Sequence, residues 1–155
     1  MLTNLKMRIS STYEKQIIQL AALAFIFLWC YTLAVKLIDV KSFKWSLFNQ
    51  PLPHALAVVL LFLLPIFELA ATILLIAIRT RLYGFYLSFL LMFLFTGYIG
   101  LVIAKVFGTI PCSCGGLLEN TSWSEHFYFN LFWLMLSVLA IILIKKGGKK
   151  KHNIL

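Results

Sequence analysis

Two cysteines stand one residue apart in a short polar stretch of an otherwise apolar sequence. Cys112 and Cys114 lie in PCSCGG, residues 111–116. Two thiols this close form a disulfide with each other or exchange with the thiols of a partner. The flanking proline and glycines allow the tight turn that such a small ring requires, and residual strain makes the bond easy to reduce. A passive staple would gain little from so short a loop, so the pattern favours redox chemistry.

A metal site is the competing interpretation of the same thiols. Cys112 and Cys114 together with His126 offer soft ligands suited to copper(I) or zinc, and His54 is a candidate fourth ligand. These residues do not follow a recognised zinc spacing, so this interpretation ranks second. His126 has two further interpretations, as a proton shuttle that also stabilises a thiolate or as an interfacial histidine bonded to a loop carbonyl. Cys30, within an apolar run, is either a small apolar residue or a resolving thiol.

Glu68 is the most costly residue in the sequence because it lies in the apolar run LLPIFELAA. An isolated charge there costs on the order of 3 kcal/mol or more, so the carboxyl must be protonated, paired or reached by water. Lys36 is a candidate partner, although its ammonium could instead extend to the headgroups. We interpret Glu68 as a proton acceptor or as an anchor for a polar ligand.

The composition places these residues in a membrane. The chain has 155 residues, of which 62% are hydrophobic and 12% are charged, and its mean hydropathy is +0.95. Because a helix needs about 20 apolar residues to cross a bilayer, we predict an all-α integral membrane protein, a single domain over residues 1–155 that forms a four-transmembrane-helix bundle. The predicted spans are about 16–36, 54–78, 82–106 and 127–144, followed by a basic tail over 145–155.

The basic residues predict the orientation of the bundle. Ten of the 14 lysines and arginines flank one side of the predicted spans, so both termini are expected in the cytoplasm and PCSCGG faces the periplasm or its equivalent. No aromatic residues alternate with these charges in a surface for nucleic acid, and attraction to anionic lipid explains the net charge of +9. The ten are Lys6, Arg8, Lys15, Arg79, Arg81, Lys145, Lys146, Lys149, Lys150 and Lys151.

The connections between the spans carry further patterns. Residues 36–53 are amphipathic and predict a short interfacial helix or re-entrant lid before the second span. Ser122 and Glu125 have the spacing of a capping box, which starts the last helix just after Ser122. That start sets His126 and Asn130 four residues apart on one helical face. Glycines 97 and 100 are candidates for a close approach between helices.

With these residues identified, the sequence resembles the MauE family, the methylamine utilisation membrane proteins grouped with DoxX-like redox-associated proteins. The most specific part of this resemblance is the block from Pro111 onward, which joins Cys-x-Cys-Gly-Gly to Trp, His and Asn at fixed spacing. The resemblance is carried by YTLAVKLIDVKSF (31–43), NQPL (49–52), LPIFELAATILL (64–75), LMFLFTGYI (91–99) and PCSCGGLLENTSWSEHFYFNLFW (111–133).

The resemblance implies a four-helix protein of the bacterial inner membrane that supports the maturation of periplasmic enzymes. In the methylamine system the family is associated with a thioredoxin-like partner and with a disulfide-rich dehydrogenase subunit. The residues that fall on the family pattern are Lys36, Glu68, Cys112, Cys114, His126 and Asn130.

We therefore hypothesise a membrane thiol-disulfide oxidoreductase that works with a thioredoxin-like periplasmic protein and a periplasmic client enzyme, within the lipid bilayer and without nucleic acid. The candidate catalytic residues are Cys112, Cys114, Glu68 and His126. A polar pocket for a quinone as electron acceptor is assigned to Lys36, Glu68 and Asn130. The alternatives are a non-enzymatic assembly factor, a copper or zinc handling protein that uses Cys112, Cys114 and His126, and a small transporter suggested by Glu68 alone.

Overall fold

Five helices make up the part of the chain that the computed structural model describes, which is residues 2–107 and 123–152, with side chains over 12–107 and 123–147. No strand occurs in this part, so the all-α fold class is confirmed. The helices are α1 (Leu2–Ile38), α2 (Val40–Phe48), α3 (His54–Ile76), α4 (Arg81–Ile103) and α5 (Trp123–His152). Four stretches are long and apolar enough to cross a membrane: Thr12–Ile38, His54–Ile76, Arg81–Ile103 and Trp123–Gly147.

The four long helices form a ring. Helix α1 packs against α3 and α5, and α4 packs against the same two helices from the other side. Within the described residues α3 and α5 do not approach each other closely, so they lie at opposite corners. Helix α2 lies against α3 and α1. This arrangement is the predicted four-helix bundle.

The turn between α3 and α4 is one residue longer than the predicted spans implied, because side-chain hydrogen bonds close the end of α3 early. The second span was expected to reach residue 78, but α3 ends at Ile76. The Thr80 hydroxyl donates to the carbonyl oxygen of Leu74 at 3.0 Å, and Arg81 Nε donates to that of Leu75 at 3.1 Å. These bonds satisfy carbonyl groups that the end of a helix leaves without partners.

Helix α4 also ends before the predicted limit of residue 106. Lys105 adopts a left-handed backbone with φ 55°. Its amide donates to the carbonyl of Val102 at 3.0 Å, and the amide of Val106 donates to that of Leu101 at 3.2 Å. This pair of bonds is a Schellman motif, which glycine usually completes. Because lysine stands at that position, the end of the helix could not be predicted from a glycine.

A short helix occurs where the amphipathic loop predicted one. The Asp39 carboxylate accepts a hydrogen bond from the amide of Ser42 at 2.9 Å and caps α2. Leu47 is buried, whereas Trp45 is 61% exposed. The helix itself is confirmed, and its place at the membrane surface stays a prediction.

Aromatic side chains fill the centre of the bundle. The Phe25 ring is fully buried, and its centroid lies 5.0 Å from that of Trp133 and 6.0 Å from that of Phe85, both edge-on. Trp29 Nε1 donates to Ser88 Oγ at 2.9 Å, and both residues are buried. Buried rings contribute large apolar areas, and the indole finds a partner for its polar atom. These contacts join α1 to α4 and α5.

Large apolar side chains also cover the outside of the bundle. Phe27, Phe62 and Phe132 are 73%, 64% and 61% exposed. A soluble monomer rarely exposes so much contiguous apolar surface. A bilayer covers such a surface without cost, which fits the four apolar helices.

Helices α3 and α4 approach each other closely at Gly84 on α4. A Cβ atom built there would lie 2.8 Å from Leu75 Cγ and 2.9 Å from the Leu75 amide nitrogen. At Gly97 it would meet nothing within 4 Å, and at Gly100 its nearest neighbour would be the Phe127 ring at an ordinary 3.6 Å. Neither glycine therefore marks a close approach within the described residues, which agrees with plain packing as the favoured interpretation, and α3 and α4 come together near Gly84 instead.

We expect Gly84→Val to lower the free energy of unfolding by about 1 to 3 kcal/mol, because the new side chain overlaps the backbone of Leu75. Gly97→Val is the matched control, since it makes the same change on the same helix where space is open. Denaturant titration of both purified variants in one detergent measures the difference. Equal unfolding free energies would contradict the assignment of Gly84 as the contact point.

Candidate functional site

The charged centre of the bundle is Glu68 on α3. Its side chain is 1% exposed. At about 1.5 Å of rise per residue, Glu68 lies roughly 21 Å along α3 from His54 and roughly 12 Å from Ile76, so its carboxyl is far from both ends of the helix. A carboxyl at this depth needs a partner.

Lys36, near the end of α1, supplies that partner. Its Nζ donates to Glu68 Oε1 at 2.6 Å and to the carbonyl oxygen of Thr32 at 3.4 Å. The same Nζ lies 5.6 Å from the centroid of the Phe43 ring on α2. The Lys36 side chain is 18% exposed, so the pair is more open on the lysine side. Of the two interpretations that the sequence allowed for Lys36, the structure shows pairing, and the functional roles of both residues stay predictions.

The second oxygen of the Glu68 carboxyl has no partner among the described residues. Glu68 Oε2 is buried and accepts no hydrogen bond there. The Thr32 hydroxyl also lies within hydrogen-bonding range of the Glu68 carboxyl, but its single proton is directed to the carbonyl oxygen of Trp29 at 3.2 Å. Trp133 Nε1 is buried without a partner as well. Buried polar atoms are nearly always hydrogen-bonded, so these two atoms are exceptions among the described residues, and the role of Glu68 stays a prediction.

His126 and Asn130 occupy a different corner of the bundle. His126 is half-buried and Asn130 is 5% exposed, and both lie on α5. Helix α5 packs against α4 and α1, and within the described ranges it makes no close approach to α3, which carries Glu68. No hydrogen bond in this part of the chain joins Asn130 to the ion pair. The contacts of the described residues join Lys36 to Glu68, and the pocket of these two residues with Asn130 stays a prediction.

A hydrogen-bonded clamp holds the end of the bundle where α4 stops. Tyr98 donates its hydroxyl proton to Gln50 Oε1 at 2.6 Å, and Gln50 Nε2 donates to the carbonyl oxygen of Ser46 at 3.2 Å. The Tyr98 ring lies 6.0 Å from that of Phe107, the last described residue before the gap. Phe107 therefore lies close to α2 and to the segment that links α2 to α3. Sequence reasoning missed this clamp, and a tyrosine late in an apolar span was the available signal.

The cysteines are only partly accounted for. Cys112 and Cys114 lie outside the described residues. Cys30 is exposed on α1, which directs its thiol to the outer surface of the bundle. Among the side chains of residues 12–107 and 123–147 no three histidine, cysteine or acidic residues form a group that could hold a metal ion. The metal alternative, which needs both cysteines of the loop with His126, stays a prediction.

A bundle of four apolar helices around a buried lysine–glutamate pair defines a multi-pass helical membrane protein with a charged centre. The family model described as "Methylamine utilisation protein MauE" matches residues 14–143, most of the chain, so the protein belongs to the MauE family. No curated protein and no solved structure matches the chain. The resemblance inferred from the sequence is confirmed, and the family description implies a role in methylamine utilisation.

Proposed function

We propose that the protein is a thiol-disulfide relay of the bacterial inner membrane that supports the maturation of periplasmic enzymes. Cys112 and Cys114 cycle between dithiol and disulfide and exchange with a thioredoxin-like periplasmic partner. Both termini lie in the cytoplasm, which directs the cysteine segment to the periplasm. The excess of lysine and arginine at the termini and at the turn after α3 supports this orientation.

The relay carries two electrons and two protons in each cycle. The dithiol of the partner attacks the Cys112–Cys114 disulfide through a mixed disulfide, so that the partner leaves oxidised and the pair is reduced. A quinone in the membrane then reoxidises the pair. Two S–H bonds break, one S–S bond forms, and both electrons and both protons pass to the carbonyl oxygens of the quinone, which becomes a hydroquinone.

The observation that carries this proposal is the buried pair of Lys36 and Glu68, with its 2.6 Å contact and its free carboxylate oxygen. A structural ion pair in an apolar bundle gains little over apolar side chains of similar volume, which favours a functional reason for this one.

His126 is assigned a supporting role in the exchange. It lies in the first turn of α5, close along the chain to Cys112 and Cys114, and its side chain is half-buried. A protonated imidazole near a cysteine stabilises the thiolate, which is the attacking form in disulfide exchange. Asn130, one turn later and buried, supports the same face of the helix.

The redox state of the cysteine pair in growing cells tests the relay. Cells are quenched with acid, and free thiols are then alkylated with a reagent that adds mass. We expect both dithiol and disulfide forms of Cys112 and Cys114, with the dithiol form increasing when the thioredoxin-like partner is held reduced. A pair that stays in one form whatever the state of the partner would overturn the proposal.

A further inference from the structure

The hydrogen-bonding directions of Lys36 limit what can bind beside it. An ammonium group has three donors and no acceptor. One donor of Lys36 reaches Glu68 Oε1, one reaches the carbonyl oxygen of Thr32, and the ring of Phe43 lies over the same nitrogen. A ligand that needs a donor from Lys36, such as an anion or a carbonyl group, would therefore have to displace an existing contact.

The polar atom of the ion pair that remains without a partner is a hydrogen-bond acceptor. Glu68 Oε2 is buried without a hydrogen bond from any described residue. A cation placed against it would also face the ammonium of Lys36, which is bound to the neighbouring oxygen at 2.6 Å. Like charges at such short range repel strongly in an apolar interior. The site is thus suited to a neutral molecule that offers one hydrogen-bond donor.

The depth of the site selects the kind of molecule. Glu68 lies roughly 12 Å of helix rise from the nearer end of α3, and the helices around it are apolar enough to cross a membrane. A ligand that approaches Oε2 between these helices, and not from the Lys36 side near the end of α1, must dissolve in the bilayer. A phenolic hydroxyl on an apolar ring combines that solubility with a single strong donor.

We propose that Glu68 Oε2 accepts a hydrogen bond from the hydroxyl of a membrane-soluble hydroquinone, so that the site holds the reduced form of the electron acceptor in preference to the quinone. The inference rests on the proposed function in its choice of ligand. Lys36 is the positioning residue, because it fixes the carboxyl through the other oxygen.

Binding of trimethylhydroquinone and of its dimethyl ether to the purified protein tests this inference. The two probes share one ring, but the ether has no hydroxyl donor and cannot exchange electrons with thiols. The protein carries Cys112→Ser and Cys114→Ser, so that a failure of the relay does not affect the result. One hydrogen bond to a charged group corresponds to about tenfold in affinity. We therefore expect the hydroquinone to bind at least that much more tightly than its dimethyl ether.

Two variants make the test specific. Glu68→Gln keeps an oxygen for Lys36 and places an amide donor where Oε2 was, so the tenfold preference is expected to disappear and trimethylquinone to bind more tightly than the hydroquinone. Thr72→Val is the matched control, because Thr72 is buried one turn away and donates to the backbone oxygen of Glu68 at 2.9 Å. It should leave the preference unchanged. Equal binding of hydroquinone and ether to the parent protein, or binding of neither, would overturn the inference and leave water as the partner of Oε2.

Discussion

Lys36→Met is expected to lower the free energy of unfolding by about 3 to 5 kcal/mol, because it leaves the Glu68 carboxyl buried without its counter-ion. The carboxyl is 1% exposed and too short to reach the membrane surface from the middle of α3. Methionine keeps the length and most of the volume of the lysine stem, so that loss of charge is the main change. Denaturant titration in detergent, followed by tryptophan fluorescence, measures the effect.

The double variant Lys36→Met/Glu68→Met separates the charge from the packing. Replacement of both members of a buried ion pair by apolar side chains is often neutral or stabilising, so most of the lost stability should return. Lys41→Met, at an exposed position on α2, controls for removal of a lysine and should have little effect. A double variant as unstable as Lys36→Met would contradict this explanation, because it would show that the ion pair itself stabilises the fold.

Replacement of both Cys112 and Cys114 by serine is expected to reduce maturation of the periplasmic client to the level of a strain that lacks the protein. Serine has nearly the shape of cysteine but can neither form a disulfide nor transfer electrons, so a relay stops completely. The measurement is the amount of correctly disulfide-bonded client in periplasmic extracts, at matched levels of the membrane protein.

Cys30→Ser is the matched control for this experiment. Its thiol is exposed on the outer surface of α1, and the relay does not use it, so client maturation should be unchanged. Full maturation with the double serine variant would instead favour the assembly factor, in which the loop only forms a docking surface.

The helices and the ion pair could be predicted from the sequence because each follows from a large free-energy term. Apolar runs of the length of His54–Ile76 have few alternatives to crossing a membrane. The charge of Glu68 is costly enough in such a run to demand a partner, and Lys36 was the candidate. The short helix α2 followed from a local pattern of amphipathicity, whereas Ser122 of the predicted capping box lies outside the described residues.

The features that could not be predicted depend on contacts between residues that are far apart in the sequence. Gly84 was missed because a glycine marks a close approach only once the neighbouring helix is placed, and Gly97 has the same local appearance with open space around it. The clamp of Tyr98 and Gln50 joins residues 48 positions apart. The separation of Asn130 from Glu68 follows from the order of helices around the ring, which periodicity alone does not determine.

The thiol state of the Cys112 and Cys114 pair in living cells tests the relay most directly. In a Cys30→Ser background only these two thiols remain, so acid quenching followed by alkylation reports either two added groups or none. We predict a mixture of the two forms that shifts toward two added groups when the thioredoxin-like partner is locked in its reduced state. A pair that remains entirely unmodified, or entirely modified, with the partner oxidised, reduced or deleted would contradict the relay.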